Sequence, residues 1–455
     1  MITADEDKLY SEKSFIDVIR KAYSTHVINR VAIEYLWNYY KGKQPILDRQ
    51  KIVRPDINNK IVENRAYEIV SFKTGYLIGE PIQYISRGIE RDKSREVGLL
   101  NEMMFSENKS SKDKELVDWQ HICGTAYRMV LPDPVGMVDD APFEIYTLDP
   151  RDTFVIYSNG IDKKPIAGVT YYKDDDNVER MTVYTANKFI ELEDFIIKRV
   201  ENHSLKMIPI IEYPANNARL GSFEIVILLL DQLNNIASNR MDGMEQQIQS
   251  FIKFINCDID ETDYEAFLKK GAIKVKSTDG VNADVDVVEV KLNQTDSQVM
   301  ANNTYQTVLN ICGMPNRNGG NSTSDTGLAV EMRDGWSTAE VRAKDSEEMF
   351  KKSEQEMLKL VLHICRTKGE LTLRLKDVGI QFTRRNYENI QSKSQVLTTM
   401  LNNEKIHPLL AFTHSGLFTD PEKAYSMSIE YMAGKPEIAD ENKTQQIEND
   451  RQGSL

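Results

Sequence analysis

Two histidine–cysteine pairs stand at the same short spacing, His121-Ile122-Cys123 and His363-Ile364-Cys365, and both side-chain types ligate zinc. Structural zinc sites take their ligands as Cys-x2–4-Cys or His-x3–5-His, and residues two apart on a helix point to different faces. The pairs therefore read as core residues, and no metal is expected. Three carboxylate groupings, Asp139-Asp140, Asp174-Asp175-Asp176 and Asp258/Asp260/Glu261, carry enough charge to hold the divalent ions of a nuclease. Each stands in a turn or an acidic stretch with no histidine close in sequence, which favours solvated turn residues. The Gly319-Gly320-Asn321-Ser322 run is small and polar like a phosphate-binding loop, but it has no lysine at the phosphate position and follows a helical segment rather than a strand. No Ser/His/Asp or Cys/His order stands out. The chain shows no catalytic centre, and no cofactor is expected.

The bulk properties narrow the field. At 455 residues and 52.2 kDa the chain needs more than one structural unit. A hydrophobic share of 40% with 28% charged residues indicates a folded, soluble protein. A net charge of −13 argues against tight non-specific nucleic-acid binding, which needs clustered Lys and Arg, but not against a surface past which DNA slides. The acidic opening Met1-Ile2-Thr3-Ala4-Asp5-Glu6-Asp7 has no apolar stretch, so no signal peptide is expected. The longest aliphatic run, Ile225 to Leu230, is far short of the ~20 residues that span a bilayer. Cys123, Cys257, Cys312 and Cys365 are scattered, as suits a reducing, intracellular setting.

The elements that would position any site follow from periodicity. Residues 12–40 are helical. From Asp56 to Ile78 the apolar positions Val62, Ala66, Ile69, Phe72 and Tyr76 share one helical face, with Gly79 as cap and Pro81 as stop. Over 124–212 short segments rich in β-branched and aromatic residues alternate with turn formers, predicting an antiparallel meander. A helix over 222–250, ~43 Å long, leads into strand-like pieces at 251–257, 271–275 and 285–290 and a returning helix over 295–312. Residues 313–327 are a loop by composition. A helix over 328–365, roughly 57 Å if straight, bends at Gly335. Strands at 371–375 and 379–383, two or three helices over 388–432 and a polar, disordered tail complete an α+β chain.

The order of these elements, and four local segments, resemble the portal proteins of long-tailed (siphovirus-type) bacteriophages, in particular those common in phages of Gram-positive hosts. The first is Asn58-Asn59-Lys60-Ile61-Val62-Glu63-Asn64 with Gly75-Tyr76-Leu77-Ile78-Gly79-Glu80-Pro81-Ile82-Gln83-Tyr84. The second is Gly124-Thr125-Ala126-Tyr127 with Leu148-Asp149-Pro150 and Phe154-Val155-Ile156-Tyr157-Ser158-Asn159. The third is Gly319-Gly320-Asn321 to Ser324-Asp325-Thr326-Gly327-Leu328-Ala329. The fourth is Ile380-Gln381-Phe382-Thr383-Arg384-Arg385-Asn386 with Leu417-Phe418-Thr419-Asp420-Pro421-Glu422. Thr326 stands where a serine is usual, no aromatic precedes Gly-Gly-Asn, and Tyr387 stands where proline is common.

The resemblance implies a portal fold: an N-terminal arm and wing over 1–221, stem helices over 222–250 and 295–312, and a small β-rich clip over 251–294. A tunnel loop over 313–327 would follow, then the long helix and wing strands over 328–387, a crown over 388–432, and the tail over 433–455. It implies a non-enzymatic homo-oligomeric ring, typically of twelve subunits, at one capsid vertex of the virion, assembled in the host cytoplasm. Duplex DNA would pass through the channel in packaging and ejection. The other partners would be terminase, head-completion or connector proteins, and capsid and scaffolding proteins, with no membrane. Asn316, Arg317, Asn318 and Asn321 would face the DNA, and Asp258, Asp260 and Glu261 would meet terminase. Two alternatives remain at this level. One is a metal-dependent nucleic-acid hydrolase using an acidic cluster. The other is a monomeric scaffold or injected virion protein.

Overall fold

The computed structural model describes residues 1–87, 91–133, 141–248, 251–255, 284–288, 294–316, 335–383, 390–418 and 421–433. The strands are β1 (Ile2–Ala4), β2 (Gln83–Ser86), β3 (Thr125–Pro132), β4 (Phe143–Leu148), β5 (Thr153–Ser158), β6 (Pro165–Lys173), β7 (Glu179–Tyr184), β8 (Lys188–Glu193), β9 (Ile196–Asn202), β10 (Ile210–Pro214), β11 (Phe251–Ile255), β12 (Asp284–Val288) and β13 (Val378–Gln381). The α-helices are α1 (Glu6–Tyr10), α2 (Phe15–Tyr40), α3 (Arg65–Ile78), α4 (Arg91–Ser106), α5 (Lys109–Cys123), α6 (Ile227–Ile248), α7 (Gln294–Cys312), α8 (Trp336–Lys368), α9 (Ile390–Leu401), α10 (Pro408–Ser415) and α11 (Pro421–Ala433). The chain divides into two compact units: residues 1–75, 112–131 and 145–357, and residues 76–111, 132–144 and 358–455. The class is α+β.

In the first unit the expected meander is real but divided. β5 to β9 form an antiparallel sheet in chain order, and β1 adds to its β5 edge in parallel, Ile2 opposite Ile156. A separate three-stranded sheet takes the order β10-β3-β4. Helix α2 covers the larger sheet because Phe15, Ile19, Ala22 and His26 recur every three or four residues and are buried. They meet Phe154, Ile156, Val169 and Val183, which share one face by period-two alternation along paired strands. Each such buried side chain contributes about 1.5–3 kcal/mol. His26 stacks on Phe154 with ring centroids 4.7 Å apart. Burial lowers its imidazole to about 4, so it is a neutral core residue.

The smaller sheet carries a charge into the core. Arg128 on β3 has no exposed surface. Its Nη2 donates to Asp113 Oδ1 at 2.6 Å and its Nη1 lies 3.5 Å from Glu354 Oε2. The Tyr213 hydroxyl of β10 donates to the same Glu354 oxygen at 2.7 Å. One guanidinium thus ties β3 and β10 to residues of α5 and α8.

In the second unit β2 pairs antiparallel with β13, Tyr84 opposite Ile380. The Asn101 side chain brackets Tyr84, accepting from its N–H at 3.1 Å and donating to its carbonyl at 2.9 Å. Only 378–381 of the two expected late strands is a strand. Residues 371–374 are irregular: Thr372 gives both its N–H and its hydroxyl to Glu96, at 2.8 and 2.7 Å, and a 3-10 turn, Leu375–Asp377, follows. Three helices, α9 to α11, occupy the stretch where two or three were expected. Among the described residues no helix is long and apolar enough to cross a membrane.

Several helices start later than the sequence expectation: α2 at Phe15 rather than 12, and α6 at Ile227 rather than 222, after a 3-10 turn over Glu224–Val226. α3 begins at Arg65 rather than Asp56. The described part of the long helix begins at Trp336, directly after Gly335 with its left-handed φ of 82°, and the expected turns over 328–334 lie outside the described residues.

Candidate functional site

The late start of α3 has a cause 170 residues away. Helix α6 carries Asn234, Ser238 and Asp242 at intervals of four, which puts them on one stripe, and all three are buried. Each accepts a main-chain N–H from the segment preceding α3. Asn234 Oδ1 takes that of Glu63 at 2.9 Å, Ser238 Oγ that of Ile61 at 2.9 Å, and Asp242 Oδ1 that of Asn59 at 2.7 Å. The pitches match: four helical residues rise about 6 Å and two extended residues about 6.6 Å. Alternate amides of an extended segment therefore meet successive turns of an antiparallel helix. Asn64 ends the segment with a φ of 44°. Its side chain donates to Tyr40 O at 3.0 Å and accepts from Gln44 Nε2 at 3.1 Å.

Asp242 is the charged rung. Lys51 Nζ lies 2.9 Å and Arg49 Nη1 3.2 Å from its Oδ2. Burial alone would raise its carboxyl, but the Asn59 amide and the Lys51 ammonium outweigh that and hold it below the usual carboxylate range. The ladder fixes α6 at the base of a hairpin. α6 runs into β11, β12 pairs with β11 (Phe251 opposite Val288), and α7 returns against α6, where Arg240 Nη1 donates to Gln298 Oε1 at 2.6 Å.

At the base α7 ends in a Schellman motif. Met314 N–H bonds Leu309 O at 2.9 Å and Gly313 N–H bonds Asn310 O at 3.2 Å, with Gly313 at φ 65° and the Met314 and Leu309 side chains buried. On the far side of the following segment, a Cβ built on Gly335 would lie 3.9 Å from Pro315 Cα. The chain therefore leaves at 315 and returns at 335 to the same place, and Trp336 then packs on Phe72 of α3, ring centroids 6.2 Å apart. Gly313→Ala should cost about 1–2 kcal/mol, since the left-handed conformation penalises a Cβ. Its contact with Arg342 Cγ at 2.7 Å is relieved by moving an exposed side chain. An unchanged denaturation midpoint would contradict that role for the cap.

Beneath the hairpin, His121 Nδ1 pairs with Ser222 Oγ at 2.8 Å, and Ser222 N–H bonds His121 O at 2.7 Å, clamping the end of α5 to the approach of α6. Burial, then the neighbouring Lys73 charge, lowers His121 to about 3. Cys123 Sγ contacts Trp119 O at 3.2 Å and Thr125 O at 3.1 Å, and burial pushes its thiol up to about 12. These are inert partners of the backbone. Among the described residues no group of three or more His, Cys, Asp or Glu is placed to hold a metal ion.

Of the residues expected to face DNA, Asn316 lies at the hairpin base, its Oδ1 accepting from Gln306 Nε2 of α7 at 3.2 Å. Arg317, Asn318 and Asn321 lie outside the described residues, as do Asp258, Asp260 and Glu261 and the pair Asp139-Asp140. Asp174 shapes the β6–β7 turn: it accepts from the N–H groups of Asp176 and Val178 and from Arg180 Nε at 3.1, 2.9 and 2.7 Å. The ladder residues Asn234, Ser238 and Asp242 escaped the sequence reading. Their four-residue spacing was the available signal, but it does not say what the stripe faces.

The hairpin, the ladder beneath it and the approach of 315 to 335 at its base all hold backbone in place. The chain belongs to the family described as phage portal protein, SPP1 Gp6-like, which it matches over residues 26–450. Solved structures similar to it include a chain from the neck of an empty gene transfer agent particle computed with C6 symmetry, at 10% identity and TM-score 0.45, covering 78% of this chain and 90% of that one. Another is a chain from the virion of a native gene transfer agent particle, at 10% identity and TM-score 0.43, covering 78% of this chain and 89% of that one. No curated protein matches it.

Proposed function

We propose that copies of this chain close into a ring at one capsid vertex and that duplex DNA passes through its channel during packaging and ejection. Membership of the portal family over 26–450 carries this reading. The hairpin supports it. α6 and α7 would be the stem (222–250 and 295–312), 251–294 the clip, 313–327 the tunnel loop, 388–432 the crown, and most of the first unit the wing. A closed ring needs a repeated head-to-tail interface of two different surfaces. The hairpin leaves apolar side chains uncovered for such contacts, among them Leu228 (83% exposed) and Met300 (56%).

The loop that meets 315 and 335 would reach the DNA through Asn316, Arg317, Asn318 and Asn321. Few fixed cations suit it. One phosphate contact per subunit, repeated twelve times, would steepen the salt dependence to a slope of roughly −11 and trap the duplex. On this reading the chain is no enzyme, and terminase, docked on Asp258, Asp260 and Glu261, supplies the ATPase. Head-completion, capsid and scaffolding proteins are its other partners, and assembly takes place in the host cytoplasm before the ring enters the virion.

Electron microscopy of the purified protein tests the ring. Particles with a central opening wide enough for B-form DNA are expected, and monomers or closed particles would overturn the reading. Deleting 316–323 should leave the rings and impair packaging, and lysine at 258, 260 and 261 should weaken terminase docking in the same assay. Normal packaging or docking would refute the respective assignment.

A further inference from the structure

The β5–β6 turn holds an Asn159-Gly160 step whose surroundings suit self-modification. Both residues are exposed. Among the described residues the Asn159 side-chain amide makes no hydrogen bond, and the Gly160 N–H has no acceptor. Glycine puts no Cβ in the way of an approaching side chain. A Cβ built there would lie 3.0 Å from Asp162 Oδ1 and 3.3 Å from Ser158 Oγ. Lys164 Nζ, 2.8 Å from Asp162 Oδ2, keeps that carboxyl ionised, and Ser158 Oγ donates to its Oδ1 at 3.2 Å. A carboxylate thus lies beside Gly160, the residue whose nitrogen must lose a proton, within a small side-chain rotation of serving as its acceptor.

We infer that Asn159 is a site of deamidation, with Asp162 acting as the base. The Gly160 nitrogen gives its proton to Asp162 and attacks Asn159 Cγ. The new C–N bond closes a five-membered succinimide as the Cγ–Nδ2 bond breaks, and ammonia leaves with the proton. Solvent water then opens the ring to an aspartate or an isoaspartate at position 159. No oxidation or further co-reactant is involved. The product matters locally. The Asn159 N–H holds Ala4 O at 3.0 Å, the last bond tying β1 to the sheet. An isoaspartate lengthens the main chain next to that bond and adds a negative charge near Asp162.

Incubating the full-length protein at mildly alkaline pH and mapping the tryptic peptide 152–163 by mass tests this. The gain in mass from amide to acid should appear at least as fast in the native chain as in the urea-unfolded chain. An isoaspartate-specific methyltransferase should label the same peptide. Asp162→Asn should slow the native reaction by roughly tenfold, less than an enzymatic base supplies because Asp162 is exposed. Asn159→Gln should remove the signal, and the other Asn-Gly step, Asn318-Gly319, falls on a different peptide. A native rate below the unfolded rate, or one indifferent to Asp162→Asn, would overturn the proposal.

Discussion

Replacing Arg128 by methionine should destabilise the first unit by about 3–5 kcal/mol, the cost of leaving buried charge uncompensated. Asp113 is 3% exposed and Glu354 0%, and both lose the Arg128 guanidinium. The Tyr213 hydroxyl remains on Glu354 but cannot neutralise it. Because water does not reach the group, added salt should not rescue the variant. Making all three sites apolar, Arg128→Met with Asp113→Leu and Glu354→Met, should recover most of the loss, since a buried ion cluster and a well-packed apolar one are often of similar stability. Chemical denaturation of the three proteins measures this. A loss below about 1 kcal/mol for the single variant, as for an exposed pair, would mean that the network relaxes without its cation.

Asp242→Ala comes next, at about 3 kcal/mol, because it strands the Asn59 N–H together with the Lys51 and Arg49 charges it receives. The loss should be local as well as global: amide exchange at Asn59, Ile61 and Glu63 should accelerate together, since the rungs share one extended segment. Adding Asn234→Ala and Ser238→Ala should therefore give less than the sum of the separate effects. Asp242 also has a signed pH dependence. Its folded value lies below its unfolded one, so its contribution is complete above the unfolded value, about 4. It is lost as pH falls through the folded value. Asp242→Asn, which keeps an acceptor for the Asn59 amide, should remove that part of the acid sensitivity. Independent exchange at the three amides would show that they do not form one ladder.

The sequence was read correctly where a segment's partner is its own neighbour. The meander over β5 to β9 pairs consecutive strands, so alternation and turn formers sufficed. α2 was legible because its buried positions repeat at helical spacing. The errors lie where a distant partner decides. Val62 fits the helical face of Ala66 and Ile69, yet residues 59–63 are extended because α6 takes their amides. Residues 371–374 look like a strand, yet Glu96 takes the N–H of Thr372. Arg128 sits in an ordinary β segment, and nothing nearby announces that Asp113 and Glu354 enclose it.

By itself the sequence determined the class, the family through four segments in sequence, and the pairing of a helix with a returning helix around a β excursion, whereas β1, α1, α4 and α5 escaped it. Periodicity and turn chemistry are local, and the chain carries them wherever it goes. Only the tertiary structure decided that β1 joins β5 in parallel, that β3, β4 and β10 leave the main sheet, and that the chain departs and returns at 315 and 335 side by side. Those choices depend on which polar groups lose water together, and a buried amide or carboxylate takes whatever partner the folded chain brings within 3 Å, however far away in sequence.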